Sequence, residues 1–195
     1  TVFGSRAALS NPERISEIKS FYPNAHIVSG TTSGEIFNES VYDDTIAVSA
    51  VEFEKTKIKT VKANISENNG DSYSTGVALA KQLMAEDLKH VFVISDGLKV
   101  NGSELARGLN ETLQNKVSVT GGLAGDAAKF EKTLVGLNDA PSEGNIVAVG
   151  FYGQSLKVGF GSVGGWDTFG VERQVTKSKG NGLREVCRSI KHSLC

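Results

Sequence analysis

Two segments of this chain, 91 positions apart, share one pattern: a Ser or Thr, a Gly, three residues, a second Gly and an acid. The first is Ser29-Gly30-Thr31-Thr32-Ser33-Gly34-Glu35 and the second is Thr120-Gly121-Gly122-Leu123-Ala124-Gly125-Asp126. Each follows the same succession: an apolar run of strand type (VFGS, VFVIS), a helical stretch, and a second apolar run (HIVS, VSV). Hairpin-like pairs come after each, with TIAVSAVEF at 45–53 echoing NIVAVGFYG at 145–153. This ordered match predicts a duplicated unit, about residues 1–85 and 86–176, each a parallel strand-helix-strand with an antiparallel extension. The expected fold class is α/β with α+β mixing, in which mixed sheets are flanked by helices. A pseudo-twofold domain of this kind sets the two segments at equivalent positions. They are expected to face each other across a cleft at the carboxyl ends of strands, where α/β sheets bind ligands.

Local signals add detail. Ser10-Asn11-Pro12-Glu13 is a helix start with proline in the first turn, so a helix is expected to about Phe21. Apolar spacing predicts helices over 71–84 and 102–113. Strands are expected at 26–29, 45–53, 57–65, 90–95, 117–120, 130–137, 145–152, 155–162 and 172–176, with 45–53 and 57–65 forming an antiparallel pair. Residues 30–35 and 121–126 are expected as loops. The basic stretch from Lys177 reads as weakly helical, and 183–195 falls outside the expected domain of 1–182.

Glycine makes up 22 of the 195 residues, about 11% against an ordinary ~7%. In loops it permits positive φ and lets a ligand approach the backbone. Gly30, Gly121 and Gly122 are therefore candidate binding positions, and Thr31, Thr32 and Ser33 add hydroxyls that suit a polar nest for a carboxylate. Glu35 and Asp126 have two open roles, receiving an amine of the same ligand or capping nearby backbone N–H groups. Asp96 closes the run HVFVIS just before Gly97, a position for a working polar residue or for a turn cap. Trp166, the only tryptophan, stands in a glycine-rich surround and reads as a stacking wall or as core filler.

Other chemistries find little support. Lys plus Arg total 21 against 22 acids, without the basic excess that nucleic-acid binding needs. Neither a P-loop nor an intact GxGxxG follows a strand, and there is no HExxH, Cys/His metal spacing or GxSxG elbow. His26, His90 and His192 are scattered, and no metal site is expected. No apolar run approaches the length of a membrane span. Cys187 and Cys195 both lie in the last nine residues, which fits a reducing cytosol, so a cytoplasmic location is expected.

Three stretches resemble the FIST family. SGTTSGEI at 29–36 is similar to its Gly-Cys-Ser-Thr-small-Gly-Glu-Ile signature, with Thr32, Gly34 and Glu35 in register. GGLAGD at 121–126, followed by Phe130 and Thr133, resembles its GG-x-AGD stretch. Gly165-Trp166, Gly170 and Val175-Thr176 resemble its late GW…G…VT stretch. The resemblance implies a prokaryotic sensory input domain that binds a small ligand, amino acids being the usual suggestion, and passes a signal to an attached output domain. Some members are reported to use haem. Two positions depart from the pattern. Ser29-Gly30 stands where the family has Gly-Cys, and Gly164 stands where a His often precedes the GW pair. The resemblance also implies more chain ahead of Val2 and a C-terminal FIST region beyond these residues.

The expected function is a non-catalytic sensory domain that holds an amino acid or similar small polar ligand between the two glycine segments, with no cofactor and with scope for a homodimer. Two alternatives remain at this level: a hydrolase or transferase using Asp96 or Asp126, and a dimerisation module whose glycines serve close strand packing.

Overall fold

The computed structural model describes residues 1–161, 163, 164, 167, 170, 173–179 and 182–186. It divides into two units, Thr1–Val158 and Gly159–Cys195. In the first, chain order runs β1 (Val2–Gly4), α1 (Arg6–Leu9), α2 (Pro12–Phe21), β2 (Val28–Thr31), β3 (Glu35–Phe37), β4 (Ser40–Tyr42), β5 (Ile46–Val48) and β6 (Lys57–Asn64). A 3₁₀ turn over Ile65–Asn68 leads to α3 (Ser72–Leu83), β7 (Leu88–Ser95), α4 (Gly102–Thr112), β8 (Ser118–Leu123), β9 (Val135–Leu137) and β10 (Asn145–Tyr152). No helix among the described residues is long and apolar enough to cross a membrane.

The helices start where side chains satisfy their first N–H groups. Asn11 Oδ1 accepts from Glu13 N at 3.0 Å ahead of Pro12. Asp71 Oδ1 accepts from Ser74 N at 3.1 Å, and Asn101 Oδ1 from Glu104 N at 3.2 Å. The helix starts predicted near 12, 71 and 102 stand.

Two mixed four-stranded sheets form, ordered β5-β1-β2-β9 and β6-β10-β7-β8. Each holds one parallel pair joined through helix: β1–β2 across α1 and α2, and β7–β8 across α4. Val2, Phe3 and Gly4 pair with Ser29, Gly30 and Thr31, while Phe92, Val93 and Ile94 pair with Thr120, Gly121 and Gly122. Each parallel pair carries an antiparallel strand on its outer side, β5 beside β1 and β10 beside β7. The mixed α/β class with helices flanking sheets is what the sequence predicts.

Period-two alternation sorts the side chains into layers. On β7 and β10, Val91, Val93, Ile146 and Ala148 face α3 and α4, where Leu79, Leu83, Leu105 and Leu109 complete one core. The alternate residues Ile94, Val147 and Val149 pack with Val28 and Val135 of the other sheet, with Phe3, Phe92 and Phe151 against them. Beyond that sheet, Val2 and Ile27 pack with Leu9 and Ile15 of α1 and α2. The first unit is thus a four-layer α/β/β/α sandwich.

Several expected boundaries change. Gly30 and Thr31 belong to β2, and residues 121–123 belong to β8, so much of each expected loop is strand. Of 45–53 only Ile46–Val48 is strand, and it pairs with β1. The stretch at 57–64 pairs with β10 in the other sheet, so 45–53 and 57–65 do not form the expected hairpin; the chain passes between sheets here. Residues 155–161 hold no strand. The second unit contains an antiparallel pair, β11 (Val175–Lys179) with β12 (Gly182–Val186), where weak helix was expected from Lys177.

Candidate functional site

The two glycine segments meet directly. Gly125 N donates to Thr31 O at 2.8 Å, and a Cβ on Gly125 would lie 2.6 Å from Ser33 Oγ and 3.1 Å from Ser33 N. The two segments are thus in backbone contact at this crossing. The glycine at 125 is what lets the backbones touch.

Thr31, Thr32 and Glu35 of the first segment make hydrogen bonds within the fold. Thr31 is 1% exposed, and its Oγ1 accepts from Leu134 N at 3.0 Å. Glu35 is 2% exposed. Its carboxylate accepts from Thr32 Oγ1 at 2.6 Å, Thr45 Oγ1 at 2.8 Å and Thr45 N at 3.1 Å. Gly30 is buried in β2, where a Cβ would meet Ile94 Cγ2 at 3.1 Å. Ser33 alone of 30–33 is exposed.

The other two acids are equally engaged. Asp126 pairs with Arg6 Nε at 3.3 Å and accepts from Glu131 N at 3.2 Å and Lys132 N at 3.1 Å. Asp96, 1% exposed, accepts from Leu98 N at 2.8 Å, Lys99 N at 2.9 Å, Thr133 Oγ1 at 2.8 Å and Gly144 N at 2.6 Å. Burial raises the pKa of Asp96, but these donors outweigh it and hold the carboxyl below the usual aspartate range. The three carboxylates thus act as internal acceptors. Trp166 lies outside the described residues.

Gly121 and Gly122 border a groove of about 270 Å³ between β8 and α4. Val93, Val119, Leu105 and Ala106 form its apolar walls, Ser95 supplies a hydroxyl, and Gly102 brings the first turn of α4 to its edge. This is the crevice beside the carboxyl ends of two parallel strands and the N-terminus of their crossover helix, the usual ligand position in α/β units. Gly121 has φ +151°, and a Cβ there would sit 1.7 Å from Val93 O, so the position admits only glycine. The α4 wall was missed in the sequence, although its signal was present: Gly102, Leu105 and Ala106 recur at helical spacing directly after Asp96-Gly97.

On the opposite face of β8, His90 clasps the strand. Its Nδ1 lies 2.7 Å from Ser118 Oγ and its Nε2 lies 2.8 Å from Thr120 Oγ1. Burial pushes its pKa down, with hydrogen bonding at Ser118 opposing the shift. No group of three or more His, Cys, Asp or Glu among the described residues is arranged to hold a metal ion. A porphyrin is larger than the groove, and no lining residue is of axial-ligand type, so haem does not fit there.

A family model described as FIST N domain matches residues 1–186. No curated protein and no solved structure matches the chain.

Proposed function

The chain belongs to the FIST N domain family, and on that premise we propose that it is the ligand-binding part of a sensory input domain whose site is the groove between β8 and α4. Membership of the family is consistent with a sensory domain of signal transduction. The observation that carries the reading is the position of the groove, with Gly121 and Gly122 of the shared pattern on its rim.

The groove volume, about 270 Å³, falls just under the ~300–1,000 Å³ of ordinary small-molecule pockets. That size suits a single amino acid rather than a nucleotide. Its walls favour an apolar side chain against Val93, Leu105, Ala106 and Val119. The N-terminal end of α4, which reaches the groove at Gly102 and carries partial positive charge beyond the Glu104 N–H that Asn101 caps, suits the carboxylate. Backbone carbonyls of β8 suit the ammonium group. A ligand here touches both an edge strand and a helix, so it shifts any equilibrium in which the two move apart, provided that it binds one state better.

A thermal-shift series with free amino acids tests this. Ligand at a hundredfold excess over Kd adds about 2.7 kcal/mol, a rise of about 5–10 °C for a chain of this length. Valine, leucine or a close relative is expected to give it, and Ala106→Phe, which fills the groove, to abolish it. Silence from every amino acid, or an undiminished shift in Ala106→Phe, rules the reading out.

A further inference from the structure

We propose that the groove between β8 and α4 takes a short branched monocarboxylate, held by the Ser95 hydroxyl and the N-terminal end of α4, without need of an amine. The proposal rests on the groove being the ligand site, as the reading above does, but not on the ligand being an amino acid. Other buried hydroxyls of this fold have partners. Thr31 Oγ1 accepts from Leu134 N, Ser72 Oγ accepts from Asn101 N, and Thr75 and Thr133 donate to Asp71 O and the Asp96 carboxylate. Ser95 is 1% exposed, yet its Oγ makes no hydrogen bond among the described residues. Ser29 Oγ is also unpaired but is sealed in, whereas Ser95 lines the groove. Buried polar groups are nearly always paired, so a ligand that fills the groove must meet this hydroxyl.

The groove has a polar end and an apolar end. Ser95 pairs with Leu123 across the parallel strands, and the Leu123 side chain reaches Gly102, where a Cβ would lie 3.2 Å from Leu123 Cδ2. Ser95 and the start of α4 therefore share one end. Asn101 Oδ1 accepts from Glu104 N at 3.2 Å, while the N–H groups of Gly102 and Ser103 ahead of it have no partner among the described residues. A hydroxyl suits an anion and a cation alike, and the helix N-terminus selects the anion. Val119, four residues before Leu123 on β8, and Ala106, one turn further along α4, make the other end apolar, which suits a short branched tail. No lining residue is charged. Glu35, Asp96 and Asp126 accept hydrogen bonds within the fold, so no carboxylate is placed to receive an amine.

Titration calorimetry of the whole chain with three related compounds tests this. Isocaproate is leucine without its amine, and isoamylamine is leucine without its carboxylate. Isocaproate is expected to bind at least as tightly as leucine, and isoamylamine not to bind. Ser95→Ala removes one hydrogen bond to a charged group and is expected to weaken isocaproate binding about 10–100-fold. Its melting temperature without ligand is expected to equal or exceed that of wild type, because the hydroxyl has no partner to lose. A lowered melting temperature would assign Ser95 a structural bond and overturn the proposal. Isocaproate binding with leucine silent supports the proposal and overturns the amino-acid reading. Leucine binding with isocaproate silent overturns the proposal and leaves that reading standing, and silence from both overturns both. Isocaproate binding undiminished in Ser95→Ala, or matched by isoamylamine, also overturns the proposal.

Discussion

At the scale of single residues, Asp96 shows what a buried carboxylate does in this protein. It gathers donors from its own turn and from Thr133 and Gly144, 37 and 48 positions away. Asp96→Ala strands Gly144 N and the Thr133 hydroxyl in the interior, at a cost of roughly 2–4 kcal/mol. Asp96→Asn turns an amide donor toward one of those donors and is also expected to destabilise. The folded pKa lies below the ordinary value, so this stabilisation is present above the unfolded aspartate pKa of about 3.9 and is lost as pH falls through the lower folded value. Urea midpoints taken from neutral pH down to about pH 3 should show a shallower acid slope in Asp96→Asn than in wild type. An unchanged slope would mean that Asp96 titrates alike in both states. The sequence singled out Glu35, Asp96 and Asp126 but left ligand binding and capping open. Their partners Thr45, Arg6 and Gly144 lie 10 to 120 positions off, and no local pattern announces a contact across that span.

At the scale of elements, glycine sets how closely two helices pack. A Cβ on Gly76 would lie 2.5 Å from Leu105 O, and one on Gly108 would lie 2.3 Å from Tyr73 O, so α3 and α4 cross nearly backbone to backbone. Arg107 over the Tyr73 ring at 4.4 Å and the Tyr73 hydroxyl donating to Glu111 at 2.8 Å border the crossing. Alanine gains about 1 kcal/mol of helix propensity over glycine, yet here it must push the helices apart. Gly108→Ala is expected to lose about 1–3 kcal/mol net, read as a lower denaturation midpoint at constant m. A stabilised variant would contradict this packing. The helix starts were legible because caps are local. The small hairpin of β3 and β4 was not, since Glu35-Ile36-Phe37 and Ser40-Val41-Tyr42 are short and Ile36 and Val41 are exposed, without the buried alternation that marks a strand.

At the scale of the whole unit, the crossing of the two glycine segments bridges the sheets. Gly125→Ala sets a methyl 2.6 Å from Ser33 Oγ and 3.1 Å from Ser33 N, and a loss of about 1–3 kcal/mol is expected. Adding Ser33→Gly should recover only part of it, because the backbone contact remains; a double-mutant cycle in chemical denaturation reads the coupling. Full recovery would assign the clash to the side chain alone. By itself the sequence determined the mixed α/β class, the helix starts at 12, 71 and 102, and the two parallel strand-helix-strand runs. These rest on periodicity, caps and glycine, all of which act over a few residues. Tertiary structure alone decided that 45–53 and 57–65 join different sheets and that the sheets stack between two helical layers. It also brought the two glycine segments into contact at Gly125 and set a groove beside α4. Those outcomes depend on which apolar faces meet and which distant donors a buried carboxylate collects, and short-range pattern carries neither.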